Sequence, residues 1–406
     1  MTDRVFRLKG ECNHYPWGKK GSQSLAAQLH GKNDKSFSPK EDEYYSELWF
    51  GDYPTFPARV FETGELLKDV IHKNPEALLG KKVLTDFGEN LPFLPKILSI
   101  AKALPLQMHP DKWLAAKLNK QDADTFGDPN HKPEIAVALS KFETFAGFKP
   151  LSQIEPLFRL PALRPFVPKD TPDKWLDQTL REVVRTIIKS DGATVKSALE
   201  TLRSTPKADL GDSGHYILDL LPRLEEQYGP EDPGTIVALT CMNFMVLSPG
   251  DAIFIPADGI HAYLSGDIVE CMARSDNVVN AGFCPPGERN DADLFADNLT
   301  FEAHSGGDVK LAAQESEKSG TGKTVVYKPP MREFNMFRTD LGAGEQDEIQ
   351  AFDGPGVGIV TAGRGKMVAD GKEVEVGEGE IYFFAPGVGV KWEADGEGMQ
   401  VYMAVA

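Results

Sequence analysis

The chain has 406 residues, 41% of them hydrophobic, enough to build the cores of two or three domains. Its formal net charge of −17 opposes nucleic acid and anionic membrane surfaces, so an anionic small molecule would need a local basic pocket. No segment approaches the roughly 20 apolar residues of a membrane span, and MTDRVFRLKG at the start lacks the apolar centre of a signal peptide, so a cytoplasmic location is expected. Cys12, Cys241, Cys271 and Cys284 are scattered without CxxC spacing, which argues against a thiolate zinc site and a disulfide framework and favours buried thiols.

Over residues 1–149, short apolar runs broken by Gly, Pro and Asp predict strands and loops. Between 150 and 234 the period changes. Leu176, Leu180, Val183, Val184, Ile187 and Ile188 fall on one face of an amphipathic helix, with Thr171-Pro172-Asp173 as its start and Ser190-Asp191-Gly192 as its stop. Weaker helical patterns run over 194–202 and 216–228, so this block reads as a helical insertion. Residues 235–311 return to β character and complete the first barrel. A polar stretch over 312–323 is the candidate linker, and 312–406 form a last β unit. The segments PGDAIFIPADGIHAY and VGEGEIYFFAPGVGVKW echo one another, which predicts two related β-barrels. No His or Cys follows His304, so the second barrel is expected to be scaffold or lid.

Three segments carry donor chemistry. In Leu106-Gln107-Met108-His109, residues i and i+2 of a strand share a face, so Gln107 and His109 project together. Alone, such a pair is more often an ordinary hydrogen-bonded one. Glu134 follows the rigid turn Asp128-Pro129-Asn130-His131-Lys132-Pro133 and opens the apolar run Ile135-Ala136-Val137-Ala138-Leu139, and a carboxylate drawn toward a core needs a partner or a metal. His261 follows a strand and the turn Asp258-Gly259. Together these give two imidazoles, a carboxylate and an amide oxygen, a set suited to Zn²⁺ and open also to Mn²⁺, Fe²⁺ or Co²⁺.

The order of several further stretches is more specific. Tyr15-Pro16-Trp17-Gly18, Ser46-Glu47-Leu48-Trp49-Phe50-Gly51, Leu98-Ser99-Ile100 through Gln107-Met108-His109-Pro110-Asp111-Lys112, Asn130-His131-Lys132-Pro133-Glu134, and His261-Ala262-Tyr263 through Glu270-Cys271-Met272-Ala273-Arg274-Ser275-Asp276-Asn277 all match one pattern. In these the chain resembles the type I phosphomannose isomerases along nearly its full length. The resemblance implies a mainly β fold with an α insertion: a cupin-like (double-stranded β-helix) catalytic barrel, a helical domain and a second C-terminal barrel. It implies one Zn²⁺ per chain on Gln107, His109, Glu134 and His261, and a monomer that interconverts mannose 6-phosphate and fructose 6-phosphate through an enediol, feeding mannose into GDP-mannose and glycan synthesis. By position in the pattern, Glu270, Asp276 and His131 are candidate proton-transfer groups, Lys132 is their electrostatic partner, and Trp17, Trp49 and Glu47 belong to the sugar cleft.

Three positions depart from that pattern. Asn280 stands where the family has an arginine, Pro286 where it has a phosphate-contacting lysine, and Pro105 where it usually has a serine. Neither Asn nor Pro supplies a cation. Arg274 and Arg289 are the candidate replacements in substrate binding. Alternative readings are a cupin-like metalloprotein that binds a sugar phosphate without turnover, or an isomerase of a different sugar.

Overall fold

Glu134-Ile135-Ala136-Val137-Ala138 is buried along its whole length, as expected of a strand covered on both faces. It is one strand of an antiparallel cupin-like barrel in the computed structural model, which describes residues 3–172 and 174–406. The strands that build the site are β1 (Glu47–Trp49), β2 (Phe93–Ile100), β3 (Leu106–Met108), β4 (Glu134–Ala138), β5 (Phe142–Phe148), β6 (Met242–Leu247), β7 (Ala252–Ile255), β8 (His261–Ala273) and β9 (Val279–Gly282).

The long strand β8 organises them. Its C-terminal half pairs on one side with β2, from Gly266↔Ile100 to Ala273↔Phe93, and on the other with β4, ending at Met272↔Glu134. Its N-terminal half pairs instead with β5, and His261 lies opposite Gln107 of β3. The change of partner coincides with an irregularity: Glu143 pairs with Ser265 but Thr144 with Tyr263, leaving Leu264 as an extra residue. One inserted residue shifts the in/out alternation by one, so odd-numbered His261 and even-numbered Glu270 can serve the same interior. Gly266 follows, with φ of 123° and a position at which a Cβ would lie 2.6 Å from the Lys141 carbonyl oxygen.

Alternation sorts the two faces. Leu48, Ile97, Ile135, Val137, Val269 and Cys271 pack outward, in one core with Val326, Tyr327, Phe334 and Met336 of the second barrel. Leu98, Ala136, Ala138 and Ile268 pack inward. The second barrel is dominated by Gly356–Ala369 and Val390–Val405, paired over most of their length. The boundary at 149 is crossed early: Val5–Lys9, assigned from the sequence to the first barrel, pairs with Ile381–Phe384 of the second. The expected linker over 312–323 is likewise structured. Gln314 and Glu315 pair with Val326 and Val325, and buried Asp347 accepts hydrogen bonds from Ser319 and Thr321, so its polar residues serve a hub rather than solvent.

The helical block contains α1 (Asp177–Lys189), α2 (Gly192–Arg203), α3 (Gly214–Tyr228) and α4 (Pro233–Cys241). Leu180, Val183, Val184 and Ile187 of α1 are fully buried as the period predicts, each contributing about 1.5–3 kcal/mol. Leu176 does not join them. The helix begins at Asp177, six residues after Thr171, and Leu176 sits extended at the N-cap with 61% exposure while the neighbouring Trp175 packs on Phe158. Asp173 of the expected start lies outside the described residues. The predicted stop also starts the next helix, since Asp191 accepts the Thr194 N–H and caps α2.

Gly266→Ala should destabilise the protein by about 2 kcal/mol or more, because the new Cβ meets backbone and the φ is closed to L residues. The check is the denaturant midpoint beside that of an exposed-glycine control such as Gly127→Ala, where a Cβ meets nothing within 4 Å.

Candidate metal centre and active-site cavity

His109 follows β3, Glu134 opens β4 and His261 opens β8, and the pairing of β8 with both neighbours draws the three together. His109 Nε2 lies 3.2 Å from Glu134 Oε2, and His261 Nε2 lies 3.5 Å from Glu134 Oε1. The three candidate ligand atoms fall within 4.8 Å of one another. Each imidazole turns Nδ1 to a backbone carbonyl, His109 to Asn277 at 3.0 Å and His261 to Gly259 at 3.0 Å. A carbonyl only accepts, so the ring proton sits on Nδ1 and Nε2 presents a bare lone pair. Both Nε2 atoms are buried and without a hydrogen-bond partner. Burial, with Lys132 next in effect, pushes His109 down to about 3, and burial holds His261 below its ordinary value, so both rings are neutral.

Two lone pairs facing a carboxylate inside a protein repel one another, and a divalent cation in the gap turns that repulsion into three bonds. The residues fit such a group. Gln107 is 8% exposed and lines the same cavity, where its amide oxygen is available as a fourth donor. Tyr263, two residues from His261 on the same face, donates to Glu134 Oε1 at 2.6 Å and fixes the carboxylate. Asn277, whose carbonyl orients His109, donates to the carbonyls of Asp128 at 2.6 Å and Asn130 at 3.3 Å and so pins the loop leading to Glu134.

The site opens into a cavity of about 520 Å³ lined by Trp17, Glu47, Trp49, Gln107, His109, Lys132, Glu134, Glu270, Asp276 and Asn280, all singled out from the sequence. Lys96, which was not, is central. It is 2% exposed, stands 3.8 Å over the Trp49 ring, and lies 4.0 Å from Glu47 and 3.7 Å from Glu270. The register explains the cluster: Trp49, Lys96, Glu270 and Ala136 are successive partners across β1, β2, β8 and β4. Burial and the Glu134 charge push the Glu270 carboxyl up to about 8, against the pull of Lys96 and Lys132. Lys132 faces Asp276 at 3.9 Å.

Four expected site residues lie outside this lining: His261, which meets Glu134 behind the wall, and three that are engaged elsewhere. His131 bonds Glu333 of the second barrel at 2.6 Å. Arg274 pairs with fully buried Asp52 at 2.6 Å, and Arg289 pairs with buried Asp232 at 2.8 Å. Neither arginine reaches the cavity beside Asn280, because each neutralises a carboxylate that would otherwise be buried unpaired. Asn280 itself lines the wall, with its side-chain oxygen buried and unpartnered.

Comparison with known proteins agrees with this geometry. The catalytic domain of type I phosphomannose isomerase matches residues 5–151. Mannose-6-phosphate isomerase of Saccharomyces cerevisiae is 36% identical over 428 aligned positions, covering 100% of this chain and 99% of the yeast protein. The chain belongs to the type I phosphomannose isomerase family. The Schizosaccharomyces pombe enzyme of the same name is 35% identical, covering 98% of this chain and 99% of its own. Among solved structures, a zinc-bound mannose 6-phosphate isomerase superposes with a TM-score of 0.82 at 25% identity, over 99% of both chains. A variant of the phosphomannose isomerase of Salmonella typhimurium does so with the same TM-score, identity and coverage.

The hydrogen bond that fixes the Glu134 carboxylate should make metal affinity depend on Tyr263. Tyr263→Phe removes one hydroxyl, keeps the barrel packing, and should weaken metal binding on the order of 10–100-fold, read by competition with a chromophoric chelator.

A pH effect follows from the adjoining turn. Asp258 has φ of 62°, donates its N–H to the His109 carbonyl at 2.7 Å, and accepts the Asp111 N–H at 3.0 Å. Burial, then the Asp111 charge, pushes its carboxyl up to about 6 from 3.8. The native state therefore holds the proton more tightly than the unfolded one, and stability falls as pH rises from 3.8 to about 6. Asp258→Asn, which keeps the acceptor and tolerates the left-handed turn, should raise the unfolding temperature of the metal-free protein at pH 7 and leave it unchanged near pH 3.5.

Proposed function

We propose that this protein interconverts mannose 6-phosphate and fructose 6-phosphate with one Zn²⁺ held by Gln107, His109, Glu134 and His261. The observation that carries the reading is the pair of buried, unpartnered imidazole nitrogens facing Glu134, beside a cavity that also holds the buried Glu270 carboxyl. When bound, zinc would supply positive charge beside the oxygens on C1 and C2 of the open-chain sugar.

The chain's own groups support the rest of the chemistry. An aldose becomes a ketose when the C2 proton leaves, an enediol forms, and a proton returns to C1 while the oxygen-bound proton moves between O1 and O2. Glu270 is suited to take and return the carbon-bound proton. Burial and the Glu134 and Glu47 charges push its carboxyl up, and a cation on Glu134 would offset the larger of those charges and favour the ionised form that a base needs. Lys96 and Lys132 are suited to stabilise the negative charge on the enediol oxygens, as both line the cavity and are almost fully buried. Trp17 and Trp49 give the sugar an apolar wall.

A coupled isomerase assay on zinc-loaded protein tests the reading. Chelation and His261→Ala should each abolish turnover, the latter with loss of stoichiometric metal. Glu270→Gln should keep the metal and lose on the order of 10²–10⁴ in kcat. Protein that carries one equivalent of zinc and converts no mannose 6-phosphate would overturn it.

A further inference from the structure

A sugar phosphate dianion must meet a cation at its phosphate end. The cavity lining includes Lys96, Lys102 and Lys132 as its cations. Lys96 is held between Glu47 and Glu270, and Lys132 faces Asp276. Lys102 is different: among the described residues no carboxylate lies within ion-pair distance of it, and burial alone lowers its pKa. It also borders a second depression of about 480 Å³, where Arg289 is already engaged by Asp232.

The residue stands on a fixed base. Lys102 lies in the link between β2 and β3, and its N–H, like that of Ala101, donates to the Trp17 carbonyl at 3.0 Å. Leu104 N–H donates to the Tyr263 carbonyl at 2.8 Å, and Ala103 N–H to Gln227 Oε1 at 3.1 Å. Tyr228, the last residue of α3, donates its hydroxyl to the Ala103 carbonyl and places its ring 3.9 Å beneath Lys102 Nζ. The ammonium is thus held half-buried at the cavity wall by a neutral ring that leaves its charge unspent.

We infer that Lys102, positioned by Tyr228 of the helical block, binds the phosphate of the substrate and fixes which end of the sugar faces the metal. This rests on the sugar-phosphate reading above. It assigns to one lysine the cationic role that Asn280 and Pro286 leave open and that Arg274 and Arg289 do not fill.

The test compares wild type with Lys102→Gln, Lys102→Met and Lys102→Arg, all zinc-loaded and matched in metal content and unfolding midpoint. In the neutral variants the KM for mannose 6-phosphate should rise on the order of tenfold with kcat nearly constant, and competitive inhibition by inorganic phosphate should weaken by about the same factor. Lys102→Arg should recover most of both. Neutral variants with unchanged KM and unchanged phosphate inhibition, beside an active wild type, overturn the assignment. If zinc-loaded wild type shows no turnover, the functional reading fails separately. Calorimetric titration with inorganic phosphate then decides the site: weaker binding in Lys102→Gln upholds it, and equal binding overturns it.

Discussion

A carboxylate with one oxygen 3.2 Å from an imidazole lone pair and the other 3.5 Å from a second is tolerable in a buried site only around a cation. Much of the first barrel serves to hold that arrangement. Backbone carbonyls of Asn277 and Gly259 fix the tautomers, Tyr263 fixes the carboxylate, and the Asp258 turn ties the segment after His109 to the one before His261. Each support comes from a residue within three positions of a candidate ligand or from the loop packed on it. The site is therefore organised by short chain segments that the sheet brings into register, and its precision depends on that register.

Strand β8 sets the register. It carries His261 at one end and Glu270 near the other, and it changes partners between them. A regular strand would send these two side chains to opposite faces, since they are nine residues apart. The extra residue at Leu264 and the glycine conformation at Gly266 resolve the conflict. Metal chemistry and proton transfer are thus joined in one cavity by a local irregularity, and the strained stretch lies between the two functions rather than at either of them.

The fold and the clustering of His109, Glu134 and His261 were legible from alternating apolar runs, a helical period over Leu180–Ile187 and donor segments that are weak singly and specific only in the order that the family resemblance gives them. Lys96 was not legible. Its place comes from pairing with Glu270 across 174 residues of chain, and the segment Leu94-Pro95-Lys96-Ile97 gives no sign of a buried cation. Arg274 and Arg289 failed for the converse reason. Proximity in sequence to Asn280 suggested compensation, but buried Asp52 and Asp232, remote in sequence, claim them. Leu176 matched the helical period and still faces solvent, because the chain is extended at that residue and helical only from the next. The polar stretch over 312–323 looked like a linker because the carboxylate that orders it, Asp347, lies more than twenty residues downstream.

The second barrel has no metal-ligand cluster among the described residues, yet it is not independent of the site. The outward face of β1, β2, β4 and β8 is apolar, and an open sheet with both faces apolar would not stay in water. The second barrel covers that face, which allows Glu134 and Glu270 to project inward from strands that are buried throughout. It also reaches the loop before Glu134 directly, since Glu333 accepts from His131 at 2.6 Å and lies 3.9 Å from Lys112. His131 is better understood as part of this brace than as a group in the cavity. The helical block does the corresponding work on the other side, with Gln227 and Tyr228 holding the link that carries Lys102. The wall that carries His109, Glu134 and His261 and the wall that carries Lys102 therefore depend on different parts of the chain.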